Sequence, residues 1–292
     1  MNQGKYVFSQ LVKFLPQRVF DRITSNYSGN KSVKHFTCWN QLLCMIFGQL
    51  SARESLRDLT TTIEAHQSKS YHLGFGKNIT RSNLSKANEK RNYKIFEEFA
   101  NHLITIAQRK NSNDTFDIKG NIYAFDSSTI DLCLSVFCWA HFRKTKAGIK
   151  LHTLFDVNTQ IPVFIHITKA NIHDVNAMDV IDYEPLAYYI FDRAYVDYQR
   201  LYRITKAKAY FVVRAKSNIK FKRMYSNKVD KTTGIKYDQI GKIEGFYTSK
   251  DYPKRLRKVK FVDSENGKKL VFLTNNFELS AQDIALLYKQ RW

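Results

Sequence analysis

Two acids, Asp126 and Asp192, are the side chains whose type and setting could do chemistry. Asp126 directly follows Asn121-Ile122-Tyr123-Ala124-Phe125, and Asp192 directly follows Ala187-Tyr188-Tyr189-Ile190-Phe191. Both runs read as short buried strands. An acid at the end of such a strand sits on a sheet rim, where ligands bind in α/β folds. Two carboxylates held close repel each other, and a divalent cation relieves that repulsion. Mg²⁺ is the ion such a pair suits, with Mn²⁺ as the alternative: hard, oxygen-seeking, and able to keep waters for substrate phosphates. Two such ions about 4 Å apart clamp the attacking and leaving oxygens of a phosphodiester. Either acid alone would be unremarkable, because Asp is common at turns and helix caps. The pair carries the argument.

Other candidates are weaker. Cys133, Cys138 and His141 lack a fourth ligand, and their spacing is odd for zinc. Ordinary packing is the better reading of these cysteines. His152, His166 and His173 fall in one region, where one could approach a phosphate but a hydrogen-bonded structural role is the plainer reading. The sequence contains neither GxSxG nor a Walker loop, so nucleophilic hydrolase and NTPase readings lack support.

The elements that must position the two acids can be read from pattern. Residues 147–156 and 161–169 form a hairpin through Val157-Asn158-Thr159-Gln160. Residues 173–183 are a short helix, 195–207 a helix, and 210–213 a strand. Strand, hairpin, helix, strand is the order of a ribonuclease H-like core, which would make the two acid-bearing strands neighbours although 66 positions separate the acids. Upstream, residues 5–25 read as a helix divided at Pro16, and residues 37–50 as a buried helix. Ser51 is expected to cap a third helix. A fourth starts at Arg81 and runs on towards Arg109. Its head offers Arg81 and Lys86 to phosphates and base edges. A DNA-reading unit and an ordinary helical bundle with a solvated face fit this stretch equally well.

Charge supports a polyanionic partner. The 292 residues hold 47 Lys plus Arg against 26 Asp plus Glu, a net +21. Residues 1–115 carry +9, residues 116–200 carry −2, residues 201–260 carry +14 and residues 261–292 carry 0. A 60-residue stretch at +14 repels itself, which favours a nucleic-acid partner over mere basicity. The two acids lie in the only segment with an acidic balance. No apolar run approaches about 18 residues, so no membrane partner is expected. Met1–Gln10 lacks an apolar secretion core, which predicts a cytoplasmic chain. The four cysteines contain no CxxC and predict no disulfide framework.

Ala124-Phe125-Asp126-Ser127-Ser128-Thr129-Ile130 and Phe191-Asp192-Arg193-Ala194-Tyr195 resemble the first two acidic motifs of bacterial insertion-sequence transposases of the DDE type. The stretch from Lys150-Leu151-His152 to Asn171-Ile172-His173-Asp174 resembles their hairpin region. Tyr288-Lys289-Gln290-Arg291-Trp292 resembles the start of a Tyr-x2-Arg-x3-Glu-x6-Lys signature. That signature marks the group whose core carries a β-rich insertion before its last catalytic helix. The likeness spans nearly the whole chain.

The resemblance implies an α/β fold: a ribonuclease H-like mixed sheet core with an N-terminal helical domain and a basic β-rich insertion. The expected boundaries are 1–115 for the helical DNA-binding domain, 116–213 for the first part of the core, 214–270 for the insertion and 271–292 for the last core strand and helix. It also implies metal-dependent cleavage and strand transfer on double-stranded DNA, both transposon ends and target, by a homodimer. Asp126 and Asp192 would be catalytic metal ligands, and Tyr288 and Arg291 would contact DNA near the cleaved end. Positions i, i+3 and i+7 share a helix face, so Tyr288, Arg291 and the signature's Glu would point the same way. That Glu would fall three positions beyond Trp292, and Glu278 and Asp283 are too early to replace it. The expectation is therefore a chain cut inside the catalytic helix, with impaired catalysis and one side of the sheet uncovered. The alternatives are a non-catalytic DNA-binding product that occupies element ends or poisons a full-length partner, and a host structure-specific nuclease on the same core.

Overall fold

A computed structural model describes residues 6–66, 73–76, 79–110, 118, 120–132, 141–143 and 146–289. The chain divides into two compact units, residues 1–110 and 111–292. The first is helical: α1 (Val7–Val12), α2 (Gln17–Asn26), α3 (Cys38–Leu50), α4 (Leu56–Ala65), α5 (Arg81–Lys90) and α6 (Lys94–Lys110). Hydroxyl caps start three of them: Thr37, Ser55 and Thr80 accept from the backbone N–H groups of Asn40, Asp58 and Asn83. Pro16, which cannot donate a backbone hydrogen bond, separates α1 from α2. Two apolar clusters hold the unit, one around Phe8, Leu43, Leu59 and Leu84, the other around Phe20, Ile95 and Phe99.

Two expectations for this unit are corrected. Ser51 closes α3 and does not open the next helix; Ser55 caps α4. Residues 81–109 are two helices. Arg91 is extended (φ −77°, ψ 143°), and the Asn92 side chain accepts from the Lys94 N–H at 3.0 Å, opening α6. Arg91 is held there because its guanidinium donates to the Thr37 carbonyl at 2.9 Å, to Gln41 Oε1 at 2.9 Å and to the Phe36 carbonyl.

The second unit is built on one ten-stranded sheet. Its strands are β1 (Ile122–Leu132), β2 (His141–Arg143), β3 (Lys146–Asp156), β4 (Ile161–Lys169), β5 (Tyr188–Phe191), β6 (Tyr210–Arg214), β7 (Phe221–Asn227), β8 (Ile235–Ile243), β9 (Leu256–Val262) and β10 (Lys269–Thr274). A 3₁₀ helix, Asp174–Val180, stands where a short helix was expected. Helices α7 (Tyr198–Lys206), α8 (Thr248–Asp251) and α9 (Ala281–Lys289) complete the unit.

Strands β4, β3 and β1 pair antiparallel with one another in turn, and β5 and β6 follow in parallel with β1. The spatial order β4-β3-β1-β5-β6 is that of a ribonuclease H-like core. The sheet then continues: β10 pairs antiparallel with β6, and β9, β8 and β7 follow. The basic strands therefore extend the core sheet.

Side chains alternate across a strand, and here both faces are buried. Tyr123, Phe125, Tyr189 and Phe191 pack with Leu201 and Ile204 of α7 on one face. Ile122, Ala124, Tyr188 and Ile190 pack with Ile284, Leu287 and Tyr288 of α9 on the other. Residues 281–289 thus cover a side of the sheet expected to lie bare. Each fully buried Phe or Ile contributes about 1.5–3 kcal/mol. Among the described residues, no helix is long and apolar enough to cross a membrane.

Candidate active site

Asp126 does not end its strand. β1 runs on to Leu132 because β3 pairs with it from Tyr123↔Asp156 through Leu132↔Ala147. What ends near Asp126 is the parallel partner: the last β1–β5 pair is Ala124↔Ile190. Asp126 and Asp192 each lie two residues beyond that pair, at the carboxyl end of the parallel strands. Both are half-buried. Alternation from Ala124 and Ile190 turns both towards the α9 face. The Tyr288 hydroxyl of α9 donates to Asp192 Oδ1 at 3.1 Å, which fixes that direction for Asp192. The two acids are thus on neighbouring strands and one face, despite their distance in sequence. Their oxygens are hard donors, and partial exposure leaves room for waters, so the pair fits Mg²⁺ or Mn²⁺. Among the described residues, no group of three or more His, Cys, Asp or Glu assembles into a metal cluster.

Helix α9, which brings Tyr288 to Asp192, is held at both ends. At its start Ser280 and Asp283 form a reciprocal cap: Asp283 N–H donates to Ser280 Oγ at 3.0 Å, and the Ser280 hydroxyl donates to Asp283 Oδ2 at 2.7 Å. Asp283 is committed to that cap and does not join Asp126 and Asp192. Arg257 of β9 donates to both Asp238 oxygens at 2.8 Å and to the Leu279 carbonyl at 2.6 Å. At the other end, Lys289 Nζ lies 3.2 Å from Asp263 Oδ1 and from Glu265 Oε2. These contacts keep the Lys289 ammonium above its ordinary pKa, the Asp263 hydrogen bond first. The Tyr288 ring packs on Phe272 of β10, with centroids 4.8 Å apart.

His152 is fully buried on the opposite face, where it stacks beside Phe125 and its Nε2 meets Thr168 Oγ1 at 2.8 Å. Burial holds its imidazole below the ordinary value. It is a core histidine and does not face the two acids. Arg81 and Lys86 are both exposed on α5. Five residues apart, they lie about 140° apart around the helix, so they face different flanks. Arg291 and the side chains of Cys133, Cys138 and His141 lie outside the described residues.

Sequence reasoning missed Arg257, Asp238 and Lys289. One signal was available: residues 201–260 hold only four acids among 18 cations, so an acid inside a strand there had to be paired.

The transposase DDE domain family matches residues 118–292, and a domain family of unknown function, DUF4372, matches residues 3–76. A Sinorhizobium fredii protein named as a transposase, y4zB, is 30% identical over 72% of this chain and 58% of its own length. A Geobacillus stearothermophilus protein named as the transposase for insertion sequence element IS5377 is 31% identical over 57% of this chain and 44% of its own. The chain thus spans about half the length of these relatives. A structure of the piggyBac transposase in a synaptic complex with hairpin DNA aligns with 69% of this chain and 42% of its own, at TM-score 0.37 and 13% identity. With two acids on neighbouring strands of a ribonuclease H-like sheet and the domain match spanning that whole unit, the chain belongs to the DDE-domain transposases of bacterial insertion elements.

Proposed function

We propose that this chain acts on the DNA ends of an insertion sequence, cutting a phosphodiester and joining the freed end to target DNA. The observation that carries the reading is the shared face of Asp126 and Asp192, with Tyr288 on Asp192. Asp126 and Asp192 would hold Mg²⁺, or Mn²⁺ in its place, and that ion would supply charge stabilisation at the scissile phosphate. The protein's own contribution is positioning. Tyr288 orients the Asp192 carboxylate through its hydroxyl, and Arg291 would contact the DNA end. The helical residues 1–115 recognise the element end. The basic strands of 214–270 hold the backbone, and the last strand and helix, 271–292, close the site. Two ends brought to one target call for a homodimer.

The test is a cleavage and strand-transfer assay on duplex DNA carrying the element's ends, with Mg²⁺ or Mn²⁺. End-specific products should appear with the ion and vanish in Asp126→Ala and Asp192→Ala. A second reading, an end-binding protein without catalysis, is favoured by the absence of a third ligand beside the pair among the described residues. Tight end binding with no product at any ion concentration would select it. Cleavage indifferent to end sequence would select a structure-specific nuclease instead.

A further inference from the structure

The helical unit contains a cleft of about 570 Å³ between the Tyr27–Phe36 loop and one flank of α5. Lys31 and His35 stand on the loop side; Asn83, Lys86 and Lys90 stand on α5, and Arg91 follows it. Asn83, Lys86 and Lys90 recur at helical spacing, so they form one wall. Lys31, Lys86 and Lys90 are exposed. No Asp or Glu lines the cleft among the described residues. The nearby Glu98 is engaged by the Tyr27 hydroxyl.

Arg91 is a second and independent sign of an anion. Among the described residues its guanidinium donates only to neutral oxygens, those of Phe36, Thr37 and Gln41, while its face lies 5.4 Å from the Phe36 ring centroid. Burial lowers its pKa, and no carboxylate offsets the charge. Among the described residues, Arg91 has no counter-ion and Lys31, Lys86 and Lys90 have no acidic partner, which leaves a positive concavity that attracts anions. The loop wall is fixed: a Cβ at Gly29 would meet Ile95 Cδ1 at 2.5 Å and Cys38 Sγ at 2.9 Å, so the loop is pressed against the core.

We propose that this cleft, with Lys31, Lys86, Lys90 and Arg91, grips the sugar–phosphate backbone of duplex DNA. The cleft is far larger than one phosphate needs, and the lysines line it over more than one helical turn, which suits successive phosphates of a strand. It lies on the flank of α5 that Arg81 does not face. The assignment rests on the reading of the chain as DNA-acting, but it does not involve the two acids or a metal.

The test uses the full chain without divalent ions and a fluorescein-labelled duplex of arbitrary sequence, with affinity read by anisotropy against NaCl. Each lost phosphate contact removes about 0.9 from the slope of log K on log salt. Lys31→Gln/Lys86→Gln/Lys90→Gln should therefore flatten the slope by about 2–3. Lys94→Gln, at the exposed start of α6, should leave it unchanged. All four positions are exposed, and circular dichroism checks that each variant is folded. A steep wild-type slope that the triple variant retains overturns the cleft while leaving the DNA reading intact. A flat wild-type slope overturns both. Calorimetry with inorganic phosphate and a deoxynucleoside monophosphate forms the second arm. Tight binding of either, lost in the triple variant while its DNA slope stays steep, would make the cleft a small-anion site and overturn the proposal.

Discussion

Tyr288 joins a core ring to a polar tip. Its ring packs on Phe272 and its hydroxyl meets Asp192. Tyr288→Phe keeps the ring and deletes one hydrogen bond to a half-buried acid, so it should cost about 1 kcal/mol. Scanning calorimetry should record a fall of about 2–4 °C in the transition of the sheet unit. His152 makes a pH prediction. Its imidazole is held neutral by desolvation; Asp174 opposes that shift, and His166 and Lys150 reinforce it. The folded pKa lies below the unfolded one, so as pH falls through about 6.5 the unfolded chain takes up a proton first. Stability is full above that pH and declines below it, by at most about 1.4 kcal/mol per pH unit. Urea melts at pH 7 and pH 5 should show the loss, and His152→Asn should reduce the difference between the two.

Among the elements, α9 depends most on its neighbours. Its nine described residues are fewer than an isolated helix needs in water. Its cap and its two tethers therefore matter. Ser280→Ala should cost about 1 kcal/mol by removing the cap. Arg257→Met should cost more, about 3–5 kcal/mol, because it leaves Asp238 buried at 4% side-chain exposure without its cation, with the Asn227 amide still donating to it. Chemical denaturation measures both, and hydrogen exchange should show α9 opening first in each variant. The elements were largely legible in sequence: the hairpin, β5 and β6 all follow from local pattern and turn chemistry. Each acid stood out because a short apolar run precedes it, although only Asp192 follows the end of its strand while Asp126 lies inside β1. What was not legible depended on contacts distant in sequence. The break at Arg91 is made by carbonyls 50 or more positions away. The continuation of β1 past Asp126 is imposed by β3, and Ser51 and Ser55 are equally good caps until the length of α3 is known.

At the scale of the whole molecule, each of the four apolar clusters lies within one unit. Separate cores predict separate melting. Calorimetry should resolve two transitions, or a calorimetric enthalpy above the van't Hoff value. Leu84→Ala should lower only one transition and Phe272→Ala only the other, each by about 2–5 kcal/mol. The basic strands have a different status from the helical unit, because β10 joins them by backbone hydrogen bonds to β6, next to the strand that leads to Asp192. A pull on β8 or β9 would pass along a stiff lattice of amide bonds and reach the acidic rim as strain in one common slab.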